Sequence, residues 1–160
     1  MPIDKQEFRR VLGHFAAGVT VVTTLGDDGA PYGLTATAFT SVSLDPPLVL
    51  VCVDKKSESH PHFHTSKVFA VNFLTVDQEH LSRRFAVSGG DKFGDLTLRR
   101  GVTGAPVLPG VLGHLECKTT EIIEGGDHTI FVGRVESADA AEGEPLLYFR
   151  GGYRKIQPGE

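Results

Sequence analysis

The stretch Gly33–Ser57, GLTATAFTSVSLDPPLVLVCVDKKS, decides how the rest of the chain is read. It opens with five closely spaced hydroxyls, Thr35, Thr37, Thr40, Ser41 and Ser43. A strand alternates its side chains between two faces, so a period of two cannot hide all five on one polar side, and some of them must meet a polar group. Asp45-Pro46-Pro47 breaks this run, because proline lacks the ladder donor and holds its predecessor extended. Leu48–Val53 follows, apolar throughout, which predicts a strand buried on both faces. It empties into Asp54-Lys55-Lys56-Ser57, so a buried strand delivers a polar, lysine-bearing loop. Hydroxyls and backbone amides next to lysines are a donor set that suits a phosphate, and hence a nucleotide or flavin. The competing reading is a Thr/Ser-rich strand that simply favours β geometry.

Working outward, Asp4 and Glu7 form a capping pair, and Phe8, Val11, Leu12 and Phe15 recur at helical spacing up to Gly18. Val19–Leu25 is a β-branched strand, and Gly26-Asp27-Asp28-Gly29 supplies turn chemistry for a hairpin into Tyr32–Phe39. Ser59 is placed to cap a short helix with Pro61 in its first turn. His60, His62 and His64 alternate as metal ligands would on a strand, but Pro61 argues against a central strand and helical geometry scatters them, so no metal is assigned. Val68–Leu74 reads as a strand. Asp77 reads as the cap of a helix carrying Leu81, Arg84 and Phe85, and Asp91-Lys92-Phe93-Gly94 as a mobile or ligand-facing loop. Leu112–Ile123 and His128–Ala138 flank the turn Glu124-Gly125-Gly126-Asp127 as a long hairpin, with Leu115 and Cys117 set against Glu116 and Lys118. Leu146–Phe149 is the last strand. Many short strands, few helices and no βαβ rhythm predict a mainly β, antiparallel barrel with two or three flanking helices.

The totals narrow the function classes. The 160 residues suit one domain over 1–160, with a net charge of −4 and no long basic block to hold a nucleic acid. Cys52 and Cys117 lie far apart without C-x-x-C spacing and read as thiols of a reducing compartment. MPIDKQEFRR has no apolar core of a leader, and no apolar run is long enough for a bilayer, so the expectation is a soluble, cytoplasmic protein without membrane or nucleic-acid partners. There is no G-x-G-x-x-G after a strand, no G-x-x-x-x-G-K-[ST] and no G-x-S-x-G. A nicotinamide enzyme on this chain must bind its dinucleotide without a Rossmann unit.

The order of motifs resembles the flavin reductase family, the small NAD(P)H:flavin oxidoreductases that feed reduced flavin to separate monooxygenases. The resemblance rests on T-A-x-x-F-x-S-V-S-x-x-P-P-L-V-x-x-C-V at Thr35–Val53, preceded by FRRVLGHFAAGVTVVTT and followed by GGDHTIFVGRV and YFRGGYR. It implies an FMN-binding split β-barrel, a homodimer with its flavin groove near the interface, FMN or FAD, NADH or NADPH as hydride donor, and an oxygenase partner reached by diffusion. Carried over residue by residue, it implies that Thr35, Ala36, Thr37, Ser41 and Val42 form one flavin wall and Cys52, Val53 and Asp54 a second. Lys56 and Ser57 then meet phosphate and Phe85 the flavin, while Gly152 and Tyr153 approach the nicotinamide or the ring. Gly126-Asp127-His128 sets His128 beside the nicotinamide with Asp127 behind it. Where many relatives read T-A-N-S-F this chain has T-A-T-A-F, which removes polar contacts at Thr37 and Ala38. The bland readings stand beside these: Lys56 as a solvated lysine, Cys52 and Phe85 as core, His128 as an exposed turn residue. Two other functions fit the same fold, a flavoprotein keeping FMN as a prosthetic group and a dimeric binding module with no turnover.

Overall fold

The frame is one antiparallel sheet of seven strands whose spatial order departs from chain order. The structure, a computed structural model, describes residues 2–159, so Met1 and Glu160, the ends of the expected 1–160 domain, lie outside the described residues. The chain runs α1 (Lys5–Leu12), β1 (Ala17–Gly18), β2 (Thr20–Leu25), β3 (Pro31–Ala36), β4 (Phe39–Leu44), β5 (Pro47–Asp54), α2 (His60–Ser66) and β6 (Val68–Phe73). A 3-10 turn (Val76–Gln78) leads into α3 (Glu79–Phe85). Then come β7 (Arg99–Arg100), β8 (Pro106–Val107), β9 (Gly113–Gly125), β10 (His128–Ala140), β11 (Leu147–Phe149) and β12 (Gly152–Arg154). The large sheet has the order β3-β2-β6-β9-β10-β5-β4, with β1-β11-β12 and β7-β8 as two small sheets.

The two edge strands β3 and β4 are consecutive in the chain, separated only by Thr37-Ala38. The sheet therefore bends round until its edges meet at that link, onto which the bond from Cys52 N to Ala38 O (3.0 Å) extends the β4–β5 ladder by one residue. No ladder joins β3 to β4, so the sheet is strongly curved but not a hydrogen-bonded closed barrel.

Burial divides along β2, which is covered on both faces. Val22 joins Val49, Val51, Val53, Phe63, Phe69, Val71 and Phe131 in one cluster, whereas Val21 joins Leu74, Leu81, Phe85, Leu108 and Leu146 in another. Its threonines are buried too, and each hydroxyl finds a carbonyl: Thr20 that of Ala36 (2.6 Å), Thr23 that of Pro106 (2.5 Å) and Thr24 that of Val68 (2.7 Å). A buried hydroxyl without a partner costs on the order of 1–3 kcal/mol, so these bonds are what lets threonine sit in a core strand.

Several local expectations are corrected. β5 is not buried on both faces: Val49, Val51 and Val53 point into the core while Leu48, Leu50 and Cys52 are half-buried, because only one face of β5 packs into the core cluster and Cys52 on the other lines an open groove. α1 ends at Leu12 rather than near Gly18, and Asp4 accepts from Gln6 N and Glu7 N. Glu7 does not complete a capping box but clamps Arg10 at 2.7 and 2.8 Å. Thr75 and Gln78, not Asp77, cap the turn into α3, since only they reach each other's backbone. Ser59 donates to Gly33 O instead of capping α2, which docks α2 on β3. The strand read over Tyr32–Phe39 stops at Ala36, and Phe39 starts β4. Leu147–Phe149 is followed by a further strand, β12, through Arg150 (φ 50°) and Gly151 (φ 76°). Glu116 is buried, with its carboxylate accepting from Thr103 N (3.1 Å) and Oγ1 (2.9 Å), because the loop before β8 covers that face of β9.

Gly133 sits at a register shift between β9 and β10, and a Cβ there would stand 2.5 Å from Phe69 Cζ and 2.8 Å from Cys117 Cβ. Gly133→Ala is expected to destabilise the fold by about 1–3 kcal/mol through overpacking, read as a lowered urea midpoint.

Candidate functional site

The bend of the sheet leaves a groove of about 390 Å³. Leu34–Ala38 line it from β3 and the link to β4, Cys52 and Asp54 from β5, and Lys56–Glu58 from the turn beyond. Phe85–Ser88 at the end of α3, Lys92 and His128 complete the lining. A volume of this size falls within the range of small-molecule sites, roughly 300–1,000 Å³.

The polar loop is wound rather than free. Asp54 Oδ1 accepts from Lys56 N (2.9 Å), Asp54 O from Ser57 N (3.0 Å) and Ser57 Oγ from Ser59 N (3.1 Å). These bonds turn the Lys56 and Ser57 backbone back toward the strand end. Lys55 couples this turn to the β9–β10 hairpin: its N donates to Asp127 O (3.0 Å), and its ammonium pairs with Glu124, whose carboxyl it holds below the usual range. The pairing of β5 with β10 then sets His128 opposite Asp54.

His128 Nδ1 lies 2.8 Å from Asp127 Oδ1. That hydrogen bond holds the Asp127 carboxyl below its ordinary value, although the side chain is exposed. With Nδ1 donating, Nε2 is the ring nitrogen left to meet a ligand.

On the opposite wall, Thr35 Oγ1 donates to Ser82 O at 2.6 Å. The hydroxyl thus fastens β3 to α3, and Thr35 shapes the wall with the rest of its bulk. Phe85 is buried, packs edge-on against Phe93 with centroids 5.0 Å apart, and closes the groove floor. It is core and lining at once.

Thr35, Ala36, Thr37, Cys52, Asp54, Lys56, Ser57, Phe85 and His128 are thus brought to one groove. The others sit apart. Ser41 and Val42 lie at a bulge of the edge strand β4, with Val42 half exposed, outside the lining. The Val53 side chain is wholly in the core, leaving only its backbone near the strand end. Asp127 stands behind His128. Gly152 and Tyr153 are on β12, where the Tyr153 hydroxyl meets Ser82 Oγ at 2.7 Å and the Arg83 guanidinium lies 4.9 Å over its ring. That holds Tyr153 to α3 and off the groove wall. His60 and His64 face each other (centroids 4.8 Å) against Phe131, while His62 stacks on Tyr32.

Leu34, Ala38, Glu58, Ala86–Ser88 and Lys92 also line the groove and were not foreseen as site residues. For Lys92 the available signal was its polar, glycine-rich loop. Nothing local marks Glu58.

A family model described as a flavin reductase like domain matches residues 12–157. The chain belongs to that family. Flavin reductase relatives match it nearly end to end. One is the reductase component of a 4-nitrophenol 4-monooxygenase/4-nitrocatechol 2-monooxygenase of Rhodococcus opacus, 44% identical over 98% of this chain and 84% of its own. Another is an NADH-dependent FAD reductase of Streptomyces globisporus, 43% identical over 98% of this chain and 88% of its own. A solved structure of an NADH:FAD oxidoreductase of Streptomyces globisporus, in complex with NAD and FAD fragments, superposes with a TM-score of 0.91 at 43% identity, covering 97% of this chain and 94% of that one.

Within this flavin reductase domain the two thiols are separable by chemistry. Burial pushes the Cys52 thiol up and the Cys117 thiol to about 12. Only the thiolate is nucleophilic. Folded protein at pH 8 is therefore expected to alkylate at Cys52 alone, more slowly than free cysteine and faster as pH rises, with Cys117 reacting only after unfolding, as read by peptide mass mapping.

Proposed function

We propose that this protein is an NADH:flavin oxidoreductase that reduces FMN or FAD and supplies the reduced flavin to a separate oxygenase component. The observation that carries this reading is 43–44% identity across nearly the whole chain to an FAD reductase and a monooxygenase reductase component, joined to a groove that gathers Thr35–Thr37, Cys52, Asp54, Lys56, Ser57 and His128.

The lining fits a flavin. Its wall at Ala36–Ala38 is small and leaves room for a flat ring. Phe85 gives an apolar floor, and Lys56 and Lys92 give positive charge for a phosphate. When bound, the dihydronicotinamide supplies a hydride and flavin N5 accepts it. The chain would contribute position: the β3–β4 link and the end of β5 would hold the flavin, and His128, oriented by Asp127, would meet the nicotinamide. No side chain has to move a proton in that step.

This reading includes a split-barrel fold, to which the curved seven-stranded sheet lends support. It also includes a homodimer and diffusion of reduced flavin to the oxygenase. The dimer is supported by α1, whose Phe8, Val11 and Leu12 are about half exposed and whose following Phe15 is 81% exposed. Among the described residues no helix is long and apolar enough to cross a membrane.

Purified protein is expected to oxidise NADH, faster than NADPH, only when FMN or FAD is added; the absence of nucleotide oxidation with every flavin tested refutes the proposal. His128→Ala is expected to lower kcat/KM for NADH roughly ten- to a hundredfold, about 1–3 kcal/mol, with flavin affinity by fluorescence quenching nearly unchanged. Loss of flavin binding instead would remove His128 from the nicotinamide side. Light scattering at micromolar concentration should give twice the chain mass.

A further inference from the structure

Lys92 is a cation placed in the groove with more support for its backbone than for its charge. Arg84 Nη1 donates to Lys92 O at 3.3 Å and is itself clamped on Asp95 at 2.7 and 3.2 Å. Asp91 Oδ1 accepts from Phe93 N and Gly94 N, and Phe93 packs on Phe85. The loop expected to be mobile or ligand-facing is therefore held on both sides of Lys92. The side chain is only 9% exposed, yet among the described residues its one ion-pair partner is Glu58, at 3.5 Å. A charge-assisted N–O bond is normally about 2.7–2.9 Å, and an ammonium offers three donors, so the single long contact to Glu58 leaves donors of this ammonium open to further acceptors.

Glu58 is half exposed and also accepts from Gly89 N at 3.2 Å. Glu58 and Lys92 line both the groove and a second cavity of about 270 Å³ that takes in Tyr32, Gly90 and Phe93. The pair is thus the partition between the two spaces, with its carboxylate on the side that can yield to solvent. An incoming anion with several oxygens gives the ammonium what a single long contact does not.

We infer that Lys92 is the residue that recognises the flavin's phosphate, with Glu58 holding the ammonium in the free protein and giving way to the phosphate. The inference rests on the flavin reading above, and the phosphate is the group that separates FMN and FAD from riboflavin. Lys56 is a weaker determinant: it is exposed, so its charge is screened by water and salt.

The test is titration of wild type, Lys92→Met, Lys56→Met and Glu58→Gln with FMN, FAD and riboflavin, followed by flavin fluorescence and needing no turnover. Lys92→Met is expected to reduce the preference for FMN over riboflavin by about tenfold or more, and the preference for FAD alongside it. Lys56→Met should reduce it less, by an amount that vanishes at high salt. Glu58→Gln should raise the preference, because the competing carboxylate is gone, and this variant decides the matter if Lys92→Met fails to fold. An unchanged FMN-to-riboflavin ratio in Lys92→Met, or a loss of FMN preference in Glu58→Gln, overturns the inference. Flavin binding without NADH oxidation by the wild type would refute the proposed activity and leave the role of Lys92 to be judged on the ratios alone.

Discussion

Two residues, Thr37 and Ala38, join the opposite edges of a seven-stranded sheet, and that covalent constraint shapes everything around them. Strands spaced at about 4.8 Å would carry the edges of a flat sheet far apart, so a link this short requires the sheet to curl. Curling brings the end of β3 beside the end of β5, and the bond from Cys52 N to Ala38 O carries the β4–β5 ladder onto the link. The groove is what remains open where no ladder completes the circle. Small residues on the link keep it open.

Holding a curled sheet needs contacts on both of its faces, and polar groups supply a share of them. Asn72, fully buried on β6, donates to Val21 O (3.0 Å) and accepts from Leu108 N (2.9 Å), so it ties the covering segment before β9 to the sheet. Gln78 donates to Pro109 O at 2.9 Å and extends the same tie to the entrance of α3. Because α3 carries Phe85 and its carbonyl at Ser82 receives Thr35, the wall of the groove inherits its position from these bonds. A buried amide left unpaired is costly, so each such residue specifies one arrangement.

Electrostatics at the groove follow a similar division of labour. Lys55 and Glu124 lie outside it and fix the hairpin that carries His128, while Lys56 and Lys92 line it and keep positive charge available. Neighbouring lysines in one sequence run thus serve different ends, since successive residues leaving a strand point to different sides.

The sequence by itself determined the antiparallel β class, the long hairpin about Gly126, the short helices and, through the motifs from Thr35 to Val53 and at Gly126-Asp127-His128, the family. Local chemistry is enough for these, because turns, caps and alternation are set by near neighbours. It misjudged β5 because an apolar run does not reveal whether another element covers the strand's second face. It missed Thr75 as the cap before α3, since Asp77 is an equally good capping type and only the path of the backbone chooses. The tertiary structure alone decided which site residues meet: it gathered Thr35, Cys52, Lys56 and His128, sent Tyr153 to α3 through the Ser82 hydroxyl, and paired Glu58 with Lys92 in the wall. These contacts join positions tens of residues apart, so they depend on the register and curl of the sheet, which no local pattern encodes.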